Sequence, residues 1–155
     1  MSETATFSIK LSSIWWQLPP MVNIYLNDEL IESNVAITEK EENGQVKVVS
    51  FSRELEEGEH TLSIEYFNKL DSDTKVDENG KITKDQVLLV KDISIDDIDL
   101  GNVIAKTSVY FPRSDRVEAL DWLEAEIPGM CSTGHNGFWK MKFSIPTYLW
   151  LLENL

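Results

Sequence analysis

The chain contains one cysteine, Cys131, and two histidines, His60 and His135. A lone thiol forms no intrachain disulfide, so the fold must stand on its core or on metal. Cys131 and His135 share the polar stretch GMCSTGHNG, with no nucleophile signature around the thiol. Two such ligands also fall short of the four a structural zinc site uses. Basic residues are scarce: 14 Lys and Arg against 27 Asp and Glu give a formal net charge of -13. That argues against nucleic acid, whose phosphates need a basic face, and against anionic membrane surfaces. It leaves divalent cations, neutral sugars and basic proteins as partners, or solubility alone. No apolar run is long enough to cross a bilayer. The start, MSETATFSIKL, has neither a basic n-region nor an apolar h-region, so no secretory signal is expected there.

What the chain does have is alternation. Phe7, Ile9 and Leu11 share one face of TFSIKL. Val22, Ile24 and Leu26 repeat the pattern, as do Leu62, Ile64 and Tyr66. Val103, Ala105, Thr107, Val109 and Phe111 share a face of VIAKTSVYF, and Trp139, Met141, Phe143 and Ile145 share one of FWKMKFSI. A period of two repeated this often predicts half-buried antiparallel strands. QVKVVSFSREL breaks step at Val48-Val49, which predicts a bulge or burial on both faces. QVLLVKDISI, apolar on both faces at first, reads as a central strand.

Turn chemistry separates these runs. Asn27-Asp28 sits between apolar residues, and EENGQ and DENGK each carry Asn-Gly, the strongest short hairpin signal. One helix is expected over Ser114–Ile127, capped by Ser114 or Asp115 and ended by Pro128-Gly129. It would carry Val117, Leu120, Leu123 and Ile127 at helical spacing, with Trp122 at least partly buried. The tail TYLWLLENL reads as a short helix or an edge strand. It is apolar enough to dock on its own core or on a partner chain, including as an oligomer contact. The fold class is mainly β: an antiparallel, jelly-roll-like β-sandwich over 1–112, with a helix-strand extension over 113–155 packed on the same domain.

The acidic stretch KLDSDTKVDENGKITKDQ, residues 69–86, invites comparison with a calcium loop. With Gly80 at the sixth position of an EF-hand loop, Lys75 falls at the first and Gln86 at the twelfth. Both anchoring carboxylates are missing, and the flanks are strand-like. KVDENGKIT reads instead as a hairpin tip, with Val76 and Ile82 facing across it. Asp71, Asp73 and Asp85 remain at its feet, either as oxygen ligands for calcium or as a solvated acidic loop. Asp96, Asp97 and Asp99 in SIDDIDLG have the same two readings.

From about Pro19 to Leu100 the chain resembles calcium-dependent carbohydrate-binding modules of the xylan-binding type. MVNIYLNDELIES resembles their first hairpin, and EEGEHTLSIEYFN their second element through Gly58, Glu59, His60, Thr61 and Asn68. DQVLLVKDISIDDIDLG resembles their last strand through Leu88, Val90, Ile93, Ile95 and Gly101. The resemblance implies a calcium ion at the sandwich edge whose bound waters are displaced by vicinal sugar hydroxyls. It implies Asn68 and Asp85 as metal ligands, with Asp71 and Asp73 as nearby donors. The chain departs from the pattern at Lys69, where an acidic residue is usual, at Gln86-Val87, where Arg-Asn is usual, and in the length of the insertion 71–84. A second, looser resemblance rests on the ending GFWKMKFSIPTYLWLLENL, which is similar to proteins of tailed phages of marine bacteria. It implies a virion or host-cytoplasm location, with other virion proteins as partners.

Trp15-Trp16 put two indoles on opposite faces of any strand, one toward the core and the other toward solvent or a sugar ring. They are the candidate ligand-binding residues. Glycoside hydrolysis needs two carboxylates flanking a bond, and no acidic residue here sits in a recognisable catalytic context. The expectation is therefore a non-catalytic, carbohydrate-binding sandwich, with calcium as cofactor. The alternative is a structural virion component that uses the fold for assembly without sugar binding, and a glycoside hydrolase ranks last.

Overall fold

The two-residue period becomes two facing antiparallel sheets in the computed structural model, which describes residues 1–155. The strands are β1 (Ser2–Ile14), β2 (Met21–Leu26), β3 (Glu29–Ala36), β4 (Lys47–Glu56) and β5 (Gly58–Tyr66). A small separate hairpin, β6 (Lys75–Val76) and β7 (Ile82–Lys84), follows. Then come β8 (Val87–Ile95), β9 (Ile98–Asp99), β10 (Ser108–Pro112), β11 (Ile127–Pro128), β12 (Ser132–Thr133) and β13 (Gly137–Ile145). Three short helices, α1 (Val103–Thr107), α2 (Ser114–Ala119) and α3 (Thr147–Asn154), complete the chain.

One sheet runs β12-β8-β1-β4, with β9 beside β8. The other runs β11-β10-β13-β5-β2-β3. The residues read as one-sided are the core: Phe7, Ile9, Leu11, Val22, Ile24, Leu62, Ile64, Trp139, Met141 and Phe143 are essentially inaccessible. Phe7 of the first sheet meets Phe143 of the second edge-on at 5.5 Å and stacks on Phe51 of its neighbour strand at 4.9 Å. A β13 inserted between β10 and β5 ties residues 137–145 into the middle of the sandwich, so the stretch expected as an extension supplies an inner strand.

Four local readings change. Val103–Thr107 is helical, because Val103 and Ile104 reach the core together, a spacing a strand cannot give. The following strand then buries Ser108, Tyr110 and Pro112, the face opposite to the one expected. The helix expected to reach Ile127 stops after Ala119, with Arg113 in place of a side-chain cap. A six-residue helix has little stability of its own. Pairing of Ile127-Pro128 with Val109-Tyr110 takes the rest of that segment into the sheet. At Val48-Val49 neither a bulge nor two-sided burial occurs: β1 and β4 pair in continuous register, and Val48 is exposed. The break in register falls instead between Lys10 and Leu11, opposite β8.

The tail resolves as α3, which packs Trp150 and Leu151 against the core. Asn27, at φ 54, turns β2 into β3, and Asp96 and Asp97, both at positive φ, turn β8 into β9. Gly44, in EENGQ, ends a single 3-10 turn rather than a hairpin.

Candidate functional site

The insertion between β5 and β8 forms a ridge with a cleft on each side. Val76 pairs with Ile82 across its hairpin, and the Asp77 carboxylate accepts the Asn79 and Lys81 amides at 2.8 and 2.9 Å. The calcium-loop likeness of DENG is thus a turn that satisfies itself. Asp85 stands at the foot of the ridge and lines both clefts.

The four expected metal ligands are not brought together. The Asn68 side-chain oxygen accepts from the Met21 amide (2.8 Å) and its NH2 donates to the Pro19 carbonyl (2.9 Å), fixing the start of β2. Asp71 is exposed and faces Arg116 at 3.1 Å. Asp73 is fully buried, accepting from the Gln17 side chain at 2.7 Å and the Leu70 amide at 2.8 Å. Asp85 Oδ1 takes three donors: Lys69 Nζ at 2.6 Å, the Thr74 hydroxyl at 2.7 Å and the Gln86 amide at 2.8 Å. Burial alone would raise the Asp85 carboxyl, but these donors outweigh it and hold it below the usual carboxylate range. No three His, Cys, Asp or Glu side chains are placed to share one ion. A calcium cage does not fit this arrangement, because its anchoring oxygen already faces an ammonium. Gln86, the residue that broke the calcium-loop pattern, is a buried structural link: its side chain accepts from Tyr66 at 2.6 Å and donates to Leu18 at 2.9 Å.

The smaller cleft, about 390 Å³, is walled by Trp15, Trp16, Lys40, Glu41, Lys84 and Asp85. The chain bends after β1, so the two indoles flank one cleft instead of occupying opposite faces of a strand, and neither joins the core. Their edges are tied down, Trp15 to the Thr38 carbonyl at 3.2 Å and Trp16 to the Asp73 carbonyl at 2.7 Å. A lysine lies over each ring: Lys40 4.4 Å above Trp15, and Lys84 4.8 Å above Trp16. These cation-π contacts occupy ring faces that a sugar would use.

The larger cleft, about 620 Å³, lies on the other side of the ridge, between it and the α2 segment. Its volume is in the usual range for ligand sites, about 300–1,000 Å³. Trp122 stands on its wall, 67% exposed, because the early end of α2 releases the indole from the packing a longer helix would have imposed. The His135 imidazole packs against that indole at 5.4 Å and makes no hydrogen bond within the protein. Burial first, then the Lys69 and Arg116 charges, push His135 below its ordinary range, so it is neutral and can both donate and accept. Asp85 Oδ2 receives no donor and is not sealed from solvent. The charges of this cleft are matched: Arg113 with Asp115 at 3.0 Å, Arg116 with Asp71 at 3.1 Å, Lys69 with Asp85 at 2.6 Å. Sequence reading missed Trp122 and His135 as a pair. The only signal was the run of charge around an indole in LDWLEAE, which a helical reading absorbed.

Cys131 does not face His135 by hydrogen bond; its thiol points to the Gly129 carbonyl, and burial pushes its pKa up, away from a reactive thiolate.

No protein-family model matches the chain, and no curated protein matches it. Among solved structures it is similar to vCBM60 in complex with galactobiose, with a TM-score of 0.48 and 9% identity over 90% of this chain and 97% of that one. What the clefts can hold rests on their own chemistry.

Proposed function

We propose that this β-sandwich binds a neutral carbohydrate, without catalysis, in the cleft between the insertion ridge and α2. The observation that carries the reading is the exposed Trp122 indole beside the unpartnered His135 imidazole. A sugar ring offers an apolar C–H face and a rim of hydroxyls. An indole supplies the first contact, while a neutral imidazole and the free Asp85 oxygen supply hydrogen bonds for the second. Neutrality of the ligand follows from the pairing: three cations and three anions are already matched, so a charged ligand would have to break an ion pair.

The same pairing speaks against hydrolysis. A glycosidase acid has a raised pKa, which keeps its proton at working pH. Asp85 and Asp115 are both shifted the other way, Asp115 by its Arg113 partner.

A glycan array on the wild type followed by calorimetry tests the reading. Trp122→Ala should lower affinity for a neutral oligosaccharide about tenfold, the loss of roughly one aromatic contact. No glycan hit, or undiminished binding by Trp122→Ala, would sink it.

A second reading, assembly into a larger particle such as a virion, draws on α3. Tyr148, Leu149, Leu152 and Leu155 are each more than half exposed there, while Trp150 and Leu151 hold the helix to the core. Sedimentation of the full chain distinguishes the two: a stable oligomer broken by Leu149→Glu favours assembly, and a monomer defeats self-assembly.

A further inference from the structure

Lys69 joins three separate stretches of chain through one nitrogen. Its three N–H donors meet Asp85 Oδ1 at 2.6 Å, the Gln86 carbonyl at 2.7 Å and the Gly134 carbonyl at 2.9 Å. The side chain is 11% exposed. One carboxylate and two backbone carbonyls converging on a single sheltered point make a donor set suited to a hard cation. A Cβ added at Gly134 would come within 3.3 Å of Nζ, so the glycine keeps the space that the ammonium fills.

We propose that Lys69 is a tethered cation: its ammonium occupies an oxygen nest that would otherwise take a divalent metal, and the larger cleft keeps its shape without calcium. The Asp85 distance, 2.6 Å, lies at the upper end of the roughly 2.3–2.6 Å of calcium–oxygen bonds, and the two carbonyl distances, 2.7 and 2.9 Å, are slightly longer, so a small contraction would suit the metal. The backbone of residue 69 is held independently of its side chain. Asn136 accepts from the Lys69 amide at 2.8 Å and donates to the Lys69 carbonyl at 3.0 Å. A substitution at 69 therefore changes the occupant and leaves the nest standing. This inference does not depend on whether the cleft binds sugar.

The test is thermal unfolding in millimolar calcium and in chelator, with magnesium at matched ionic strength as control. Wild type should melt at the same temperature in all three. Lys69→Asp removes the ammonium and adds a fourth oxygen ligand. It should melt lower in chelator and gain about 5–10 °C when calcium is a hundredfold above its Kd. The gain should vanish when Asp85→Asn is added. Lys69→Ala, which only empties the nest, covers the case in which Lys69→Asp fails to fold, and a smaller calcium-specific gain is expected from it. A calcium-specific rise in the wild type would overturn the proposal, because the nest would then not be filled by Lys69. Indifference to calcium in every variant that folds, or failure of both to fold in any ion, would overturn it equally.

Discussion

The Asn136 side chain holds the backbone of Lys69 as a neighbouring strand would: its oxygen accepts the Lys69 amide at 2.8 Å and its nitrogen donates to the Lys69 carbonyl at 3.0 Å. Asn136 is buried and follows a loop closed by Tyr110, whose hydroxyl donates to the His135 carbonyl. One amide thus fixes the chain from which the Lys69 ammonium reaches Asp85. Asn136→Ala would orphan both backbone groups, and an unsatisfied buried group costs about 1–3 kcal/mol. Chemical denaturation should show a loss in that range, with Asn136→Asp retaining the acceptor and losing the donor.

Gly137 is expected to reject any side chain. Its strand crosses β10 so closely that an added Cβ would meet Pro112 Cα at 2.8 Å and lie still nearer the Phe111 carbonyl. Those are backbone atoms of a paired strand, which cannot swing aside. Gly137→Ala should destabilise by about 1–3 kcal/mol or more, as overpacking does. By contrast, Gly80 at the exposed hairpin tip has open space around it, and only its φ of 80° resists substitution. An unfolding series on the two alanine variants should rank Gly137 as the costlier site.

His135 gives the fold a defined pH response. Its folded pKa is lowered, first by burial and then by Lys69 and Arg116. Below the unfolded value, about 6.5, the unfolded chain takes up this proton before the folded one does. Stability therefore falls as pH drops through that window, and levels off below the folded pKa. His135→Gln should remove this component, so its melting temperature should fall less than the wild type's between about pH 7 and about pH 5. Asp85, also lowered, acts in a separate and more acidic window: its contribution is present above about 3.8 and is lost as pH falls through its folded pKa. Equal pH slopes in the two proteins would refute the assignment to His135.

Helix α3 is expected to stabilise its own chain. Trp150 is 6% exposed and meets Phe143 edge-on at 6.1 Å, and the Glu3 carboxylate accepts the Thr147 amide at 2.8 Å. Trp150→Ala should cost about 3–5 kcal/mol, the range for large core truncations. Tyr148→Ala, on the exposed side of the same helix, should change stability by no more than about 0.5 kcal/mol. Calorimetric melting of both variants checks the contrast.

Much of this was legible residue by residue. Phe7, Ile9 and Leu11 alternate with polar neighbours because each strand has one wet and one dry face, and that period survives in the sheet. Asn79-Gly80 foretold a hairpin because its backbone conformation is local. The exposure of Trp122 was not legible, because helical spacing alone cannot reveal that Ile127-Pro128 is drawn into a strand beside β10. The side-chain oxygens of Asn68, Asp73 and Asp85 were legible as candidate ligands, but not what they hold: the Met21 amide, the Gln17 side-chain amide and the Lys69 ammonium lie 47, 56 and 16 positions away in the chain and are met only by folding.

By itself the sequence determined the alternation, the turns and the excess of negative charge, and from the first two a β-sandwich. Each of these depends on residues close together in the chain or on composition. Only the tertiary structure decided which charge meets which. It placed Lys69 against Asp85, left His135 unpartnered beside an exposed indole, and laid lysines over Trp15 and Trp16. Such contacts join segments far apart along the chain, and a site made of them has no local pattern to betray it.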